Sequence, residues 1–145
     1  MSKNNIVFFN LSDEKKASFK GECIDPAHEY RILVPVNDEA TELLYKGEIY
    51  INGEISNDMT GLIFYEDTFY YMESKLFDFI NVECDTLINM YEEEILDTDQ
   101  LDKAINIIEV IISNTDDKTL LQFAQMLLEL LNLAKRNRTI VGFCF

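Results

Sequence analysis

Apolar positions along the chain change period near residue 74, and the change separates a strand-like first half from a helical second half. Ile6-Val7-Phe8-Phe9 is a short apolar run bounded by asparagine and predicts a buried strand. Ala17, Phe19, Gly21 and Cys23 alternate with polar residues, as do Tyr30, Ile32, Val34 and Val36 beyond Asp25-Pro26, which predicts two antiparallel strands joined across that turn. Pro35 requires the second of these to lie at a sheet edge or to end there, because proline cannot donate to a central ladder. Asn37 to Lys46 reads as a short helix with Asn37 or Asp38 as its cap and Leu43-Leu44 facing inward. Glu48 to Ile51, Gly61 to Tyr65 and Thr68 to Met72 are rich in β-branched and aromatic residues and predict strands, with Glu66-Asp67 as a tight hairpin between the last two.

From Ser74 the apolar spacing becomes three and four, through Leu76, Phe77, Phe79, Ile80, Leu87, Ile88, Met90 and Tyr91. This predicts a helix capped by Ser74 and running toward Leu96, with a break near Val82. Asp97 followed by Gln100 has the spacing of a capping box for a second helix carrying Leu101, Ala104, Ile105, Ile108 and Ile112 on one face. Thr115, Asp116 and Asp117 open a third, and Lys135, Arg136 and Arg138 close it, so charges of the right sign sit at each end of the macrodipole. That helix is apolar around most of its circumference between Leu120 and Leu133. It must pack on two sides, either as a central core helix or through a homodimer seam. Thr139 to Phe145 is again apolar and reads as a strand returning to the sheet. The expected architecture is a single α+β domain over residues 1–145: strand-rich in 1–73, helical in 74–138, with a terminal strand in 139–145. About three helices from residues 74–136 would cover one face of a mostly antiparallel sheet.

Composition narrows the function. The 145 residues hold 27 acidic and 12 basic side chains and one histidine, a formal charge of −15, yet 48% of them are hydrophobic, so the chain can bury a core despite its charge. Such a field disfavours direct contact with nucleic acid or an anionic membrane and favours a basic protein partner. No apolar stretch reaches the length of a signal-peptide core or a membrane span. The odd, widely spaced set Cys23, Cys84 and Cys144 suits reduced thiols in a cytoplasmic protein.

Chemistry-bearing motifs are absent. The chain has no glycine-rich phosphate loop, no Gly-x-Ser-x-Gly elbow and no Cys-x-x-Cys, and its one histidine removes the common zinc sites and the Ser-His and Cys-His pairings. Asp97-Thr98-Asp99 begins like a calcium loop, but Asp102 stands where the turn glycine belongs and Ile108 where the bidentate glutamate belongs. His28 reads as a surface residue, and activation of Cys23 by His28 depends on a geometry that spacing does not determine. Neither an enzymatic activity nor a cofactor nor a metal is expected.

The acidity is segregated. Residues 1–36 carry five acids and five bases, and residues 103–145 carry four acids and five bases, whereas residues 37–102 carry eighteen acids against Lys46 and Lys75 alone, a charge of −16. A block of one sign costs folding stability through self-repulsion, a cost that a cationic partner removes. The same block holds Tyr45, Tyr50, Tyr65, Tyr70, Tyr71 and Tyr91, a residue type favoured at interfaces. The contact residues expected on these grounds are Glu66, Asp67, Glu92, Glu93, Glu94, Asp97 and Asp99, with Tyr70 and Tyr71 as anchors.

Nucleases have positive clefts because their substrates are polyanions, so a small, acidic, catalytically inert chain of this type suits the protein that shields a cell from one. The leading expectation is a bacterial immunity protein occluding the cleft of a nuclease toxin, such as one used in contact-dependent inhibition. It rests on physical type and on no family motif. The alternatives are an acidic mimic of nucleic acid that sequesters a DNA-binding or restriction protein, and a regulator dimerising through the Leu120 to Leu133 helix.

Overall fold

The computed structural model describes residues 5–17, 28–89 and 93–145. In chain order these form β1 (Asn5–Phe8), α1 (Asp13–Ala17), β2 (Glu29–Pro35), α2 (Asp38–Lys46), β3 (Tyr50–Ile51), β4 (Glu54–Ile55) and β5 (Met59–Tyr65). There follow α3 (Glu66–Met72), a π-helical segment (Glu73–Phe77), α4 (Asp78–Cys84), β6 (Glu94–Leu96), α5 (Thr98–Asn114), α6 (Lys118–Asn137) and β7 (Val141–Cys144). The main sheet has the strand order β1-β5-β2-β7-β6. β2 runs antiparallel to both β5 and β7, and β7 antiparallel to β6, while β1 lies parallel to β5. The architecture is α+β.

Alternation along the central strands assigns the two faces of the sheet. Tyr30, Ile32 and Val34 of β2 share a face with Phe64 and Leu62 of β5 and with Phe143 of β7, and all are buried under the layer of α3 to α6. The opposite face carries Leu33, Met59 and Cys144, and a smaller apolar cluster with Ala40 and Leu44 of α2 covers it. Glycine permits both close contacts. A Cβ on Gly61 would stand 2.4 Å from the Ile32 carbonyl oxygen, and one on Gly142 would stand 2.8 Å from a Leu44 methyl. α6 is buried at Leu120, Phe123, Ala124, Leu127, Leu130, Leu131 and Ala134, packed between the sheet and α5, which accounts for its apolar circumference.

Helix ends follow their side chains closely. The Asn37 side chain accepts a hydrogen bond from the Ala40 N–H at 2.8 Å, and Gly47 closes α2 in the left-handed region at φ 73°. Asp97 and Gln100 form the capping box of α5, with the Asp97 N–H donating to Gln100 Oε1 at 2.8 Å. Asp117 caps α6 by accepting from the N–H groups of Thr119 and Leu120. Pro35 ends β2 within the central strand, two residues past its pairing with β7, so no ladder bond is lost there.

Several expectations are corrected. Glu66-Asp67 is the junction of β5 with α3, and Thr68 to Met72 is helical. Phe69, Met72, Leu76 and Ile80 already carry the helical spacing, and burying that stripe against the sheet outweighs the β-propensity of Thr-Phe-Tyr-Tyr. Ser74 therefore lies inside a helix and caps nothing. That helix ends at Cys84, where Asp85 turns left-handed at φ 54°, and does not continue to Leu96, which lies in the edge strand β6. β3 pairs with β4 across Asn52-Gly53, both at positive φ, a hairpin signal the sequence carried openly. Ala17 ends α1, and the rest of the strand expected to Cys23, together with the Asp25-Pro26 turn, lies outside the described residues.

Gly61→Ala should lower stability by about 1–3 kcal/mol, since its new methyl meets the Ile32 carbonyl oxygen of β2 as well as the Leu33 side chain. A urea midpoint unchanged from the native chain would contradict that close approach.

Candidate functional site

The acids expected at an interface separate into two groups. Glu66 and Asp67 are only 3% and 7% exposed, and the Asp67 carboxylate accepts from the N–H of Thr68 at 2.7 Å. They stabilise the start of α3, so they cannot meet a partner as the sequence suggested. Tyr70 is half-buried, and Tyr71 is buried with its hydroxyl bonded to Asp117. Tyr71 is also a structural junction. The Lys75 ammonium lies 4.3 Å and that of Lys15 5.5 Å from its ring centre, tying α1 and the π-helical segment to the cap of α6. Glu92 lies outside the described residues.

Glu93, Glu94, Asp97 and Asp99 follow one another along the chain, Glu93 just before β6, Glu94 on it, Asp97 capping α5 and Asp99 in its first turn. Glu93, Asp97 and Asp99 are exposed. Glu94 is half-buried and committed internally, for its carboxylate accepts from the N–H of Leu87 at 2.8 Å and of Ile95 at 3.0 Å. The residue missed from the sequence is Tyr45. It stands exposed on the last turn of α2, and its hydroxyl donates to Asp97 Oδ1 at 2.9 Å. One signal for it was available: Leu44 must face the sheet for α2 to pack, which turns the next position outward.

Between α2 and β6 lies a cleft of about 250 Å³ lined by Leu44, Tyr45, Glu93, Glu94, Ile95, Gly142, Phe143 and Cys144. Its floor is apolar and its rim is acidic. Glu39 and Glu42 of α2 and Glu48 just beyond it are also exposed. Arg31 pairs with Cys144 of the floor and is already engaged with Glu29 at 3.4 Å and with the Tyr50 ring at 5.4 Å.

Burial and hydrogen bonding shift the ionisable groups at the cleft. The bond to Asp97 raises the Tyr45 hydroxyl above its ordinary pKa, assisted by partial burial and the Asp97 charge, so it remains a neutral donor. Burial chiefly, with Glu93 adding and Arg31 opposing, pushes the Cys144 thiol up to about 12, which leaves the sulfur un-ionised and a poor nucleophile near neutral pH. Burial raises Cys84 likewise. His28 is exposed with its ring against Tyr30, and no group of three His, Cys, Asp or Glu among the described residues is arranged to hold a metal. No described helix is long and apolar enough to cross a membrane. No protein-family model, curated protein or solved structure matches the chain, so the function must be read from this chemistry.

The Tyr71–Asp117 junction gives the chain a pH signature. Burial, followed by the bond to Asp117, raises Tyr71 to about 12, so its contribution is intact below the ordinary tyrosine value near 10 and is lost as pH climbs toward 12. Burial alone would raise Asp117, but the bonds from Tyr71, Leu120 and Thr119 and the charge of Lys15 outweigh it and hold the carboxyl low. Its contribution is therefore present above the ordinary carboxylate value and fades as pH falls below it. Urea midpoints of Tyr71→Phe should lose the alkaline decline between about pH 10 and 12 that this group contributes. An alkaline limb identical to the native one would refute the assignment.

Proposed function

We propose that this chain is a non-catalytic inhibitor that binds a cationic protein through the acidic, tyrosine-bearing surface around the β6 edge. The class of partner that fits best is a nuclease toxin domain, with this chain as its immunity protein. The observation that carries the reading is the Tyr45–Asp97 bond. It draws two stretches of the acidic block, Asp38–Glu48 and Glu93–Asp99, to the two sides of one cleft. Two stretches of the acidic block thus border one cleft, which supports a docking surface there.

The physical chemistry of inhibition supports the same reading. Protection against a nuclease requires association faster than cleavage of the cell's own nucleic acid, and a concentrated field of opposite sign supplies that rate. Carboxylates opposite the lysines and arginines that normally grip phosphates would compete with the substrate on its own terms. Tyr45 adds a large amphipathic ring that loses little conformational entropy on binding. Thiols held un-ionised by burial suit a binding role for this surface.

The test is co-expression of the full chain with cationic nuclease toxin domains, those encoded by any neighbouring gene first, alongside titration of the purified proteins. Native chain should protect the cells and bind with an affinity that falls steeply with salt. Glu42→Lys, Glu93→Lys and Asp99→Lys together, all exposed and without an ion pair among the described residues, should weaken binding by roughly a hundredfold and flatten its salt dependence. Full protection by that triple variant, with an unchanged salt slope, would overturn the reading.

A further inference from the structure

We infer that the outer face of α4 and the loop after it form a second part of the docking surface, which takes an amphipathic cationic segment of the partner. The inference rests on the proposed cationic partner and adds that this partner brings apolar side chains as well as charge. Val82 is 80% exposed, Leu87 65% and Phe79 51%. Single exposed apolar residues are ordinary, but here three fall within one short helix and the loop that follows it. α4 has no need of them for packing, because it buries Ile80 and Cys84.

The patch is held in place. The Asn81 side chain donates to the Ile88 carbonyl at 3.0 Å and accepts from the Thr86 hydroxyl at 2.8 Å and from the Ile88 N–H at 2.7 Å. These bonds fasten residues 86–88 to the last turn of α4 and bring Leu87 to its end. The Leu87 N–H in turn donates to Glu94 at 2.8 Å, so Leu87 adjoins β6, whose far side borders the Tyr45 cleft. A surface ordered in advance gives up little entropy when it is covered.

Charge selects the occupant. Exposed Asp78, Glu83 and Asp85 are interleaved along the chain with the apolar residues, and exposed Glu93 immediately precedes β6. Of the nearby bases, Lys75 has its ammonium over the Tyr71 ring, and Lys103 lies on α5 near Cys84. A second copy of a chain with net charge −15 would be repelled, as would an anionic membrane. What matches apolar residues within an acidic rim is a protein segment that presents leucine-like side chains between lysines or arginines.

Affinity measurements with two probes test this: an amphipathic helical peptide of leucine and lysine, and an oligolysine of equal charge. The native full-length chain should bind the amphipathic peptide more tightly than the oligolysine. Val82→Ala with Leu87→Ala, at exposed positions that leave the urea midpoint unchanged, should weaken the amphipathic peptide roughly tenfold with the salt slope preserved. Glu83→Gln with Asp85→Asn should instead reduce the slope. Equal binding of both probes, or an unaltered affinity in the alanine variant, would overturn the inference. Normal behaviour toward the peptides with no binding of the nuclease domain would leave this surface standing and remove the proposed immunity role.

Discussion

Contact between the rings of Phe64, Phe77 and Phe123 is the constraint on which the rest of the structure depends. Their centroids lie 5.2 to 6.2 Å apart and join β5, the π-helical segment and α6 in one triangle. Phe143 extends it to β7 through Phe77 at 6.2 Å, and Phe9 extends it to the end of β1 through Phe123 at 5.3 Å. Aromatic rings bury more apolar area than any other side chains, and edge-on contacts add a further share for each pair. With so much burial on one face, the helical layer is fixed, and the opposite face needs only α2 and a few aliphatic residues to close it.

That asymmetry sets where function can reside. α2 is nine residues long and buries only Ala40 and Leu44, so it covers the middle of its face and leaves a cleft at the β6 edge. Carboxylates around that edge meet few compensating bases. Asp102 pairs with Lys135, an exposed contact worth little, whereas Glu42, Glu93 and Asp99 have no ion pair among the described residues. A surface carrying so much unrelieved repulsion is stable because the aromatic core outweighs it.

The ends of α2, α5 and α6 were legible in the sequence because their signals are local. Asn37 with Gly47, Asp97 with Gln100, and Asp117 with Arg138 each bracket or begin a helix at the residues where the chain turns. The expected strand over Thr68 to Met72 failed because aromatic residues serve strands and buried helices alike, and only the sheet above them decides between the two. The same misreading exposed Glu66 and Asp67 as hairpin acids when they are buried at a helix start. For the site, the charge count located the right block but could not locate Tyr45. The helical pattern of α2 turns Tyr45 outward, but its partner Asp97 lies fifty-two residues away, beyond the reach of that pattern.

The most direct measurement of the central claim is hydrogen exchange of the full chain, free and bound to the cationic nuclease domain. The account predicts new protection at the end of α2 around Tyr45 and from the end of α4 through the start of α5, on both flanks of β6. Protection confined to the opposite edge, at β1 and the Met126 to Arg136 stretch of α6 where a separate groove lies, would contradict it.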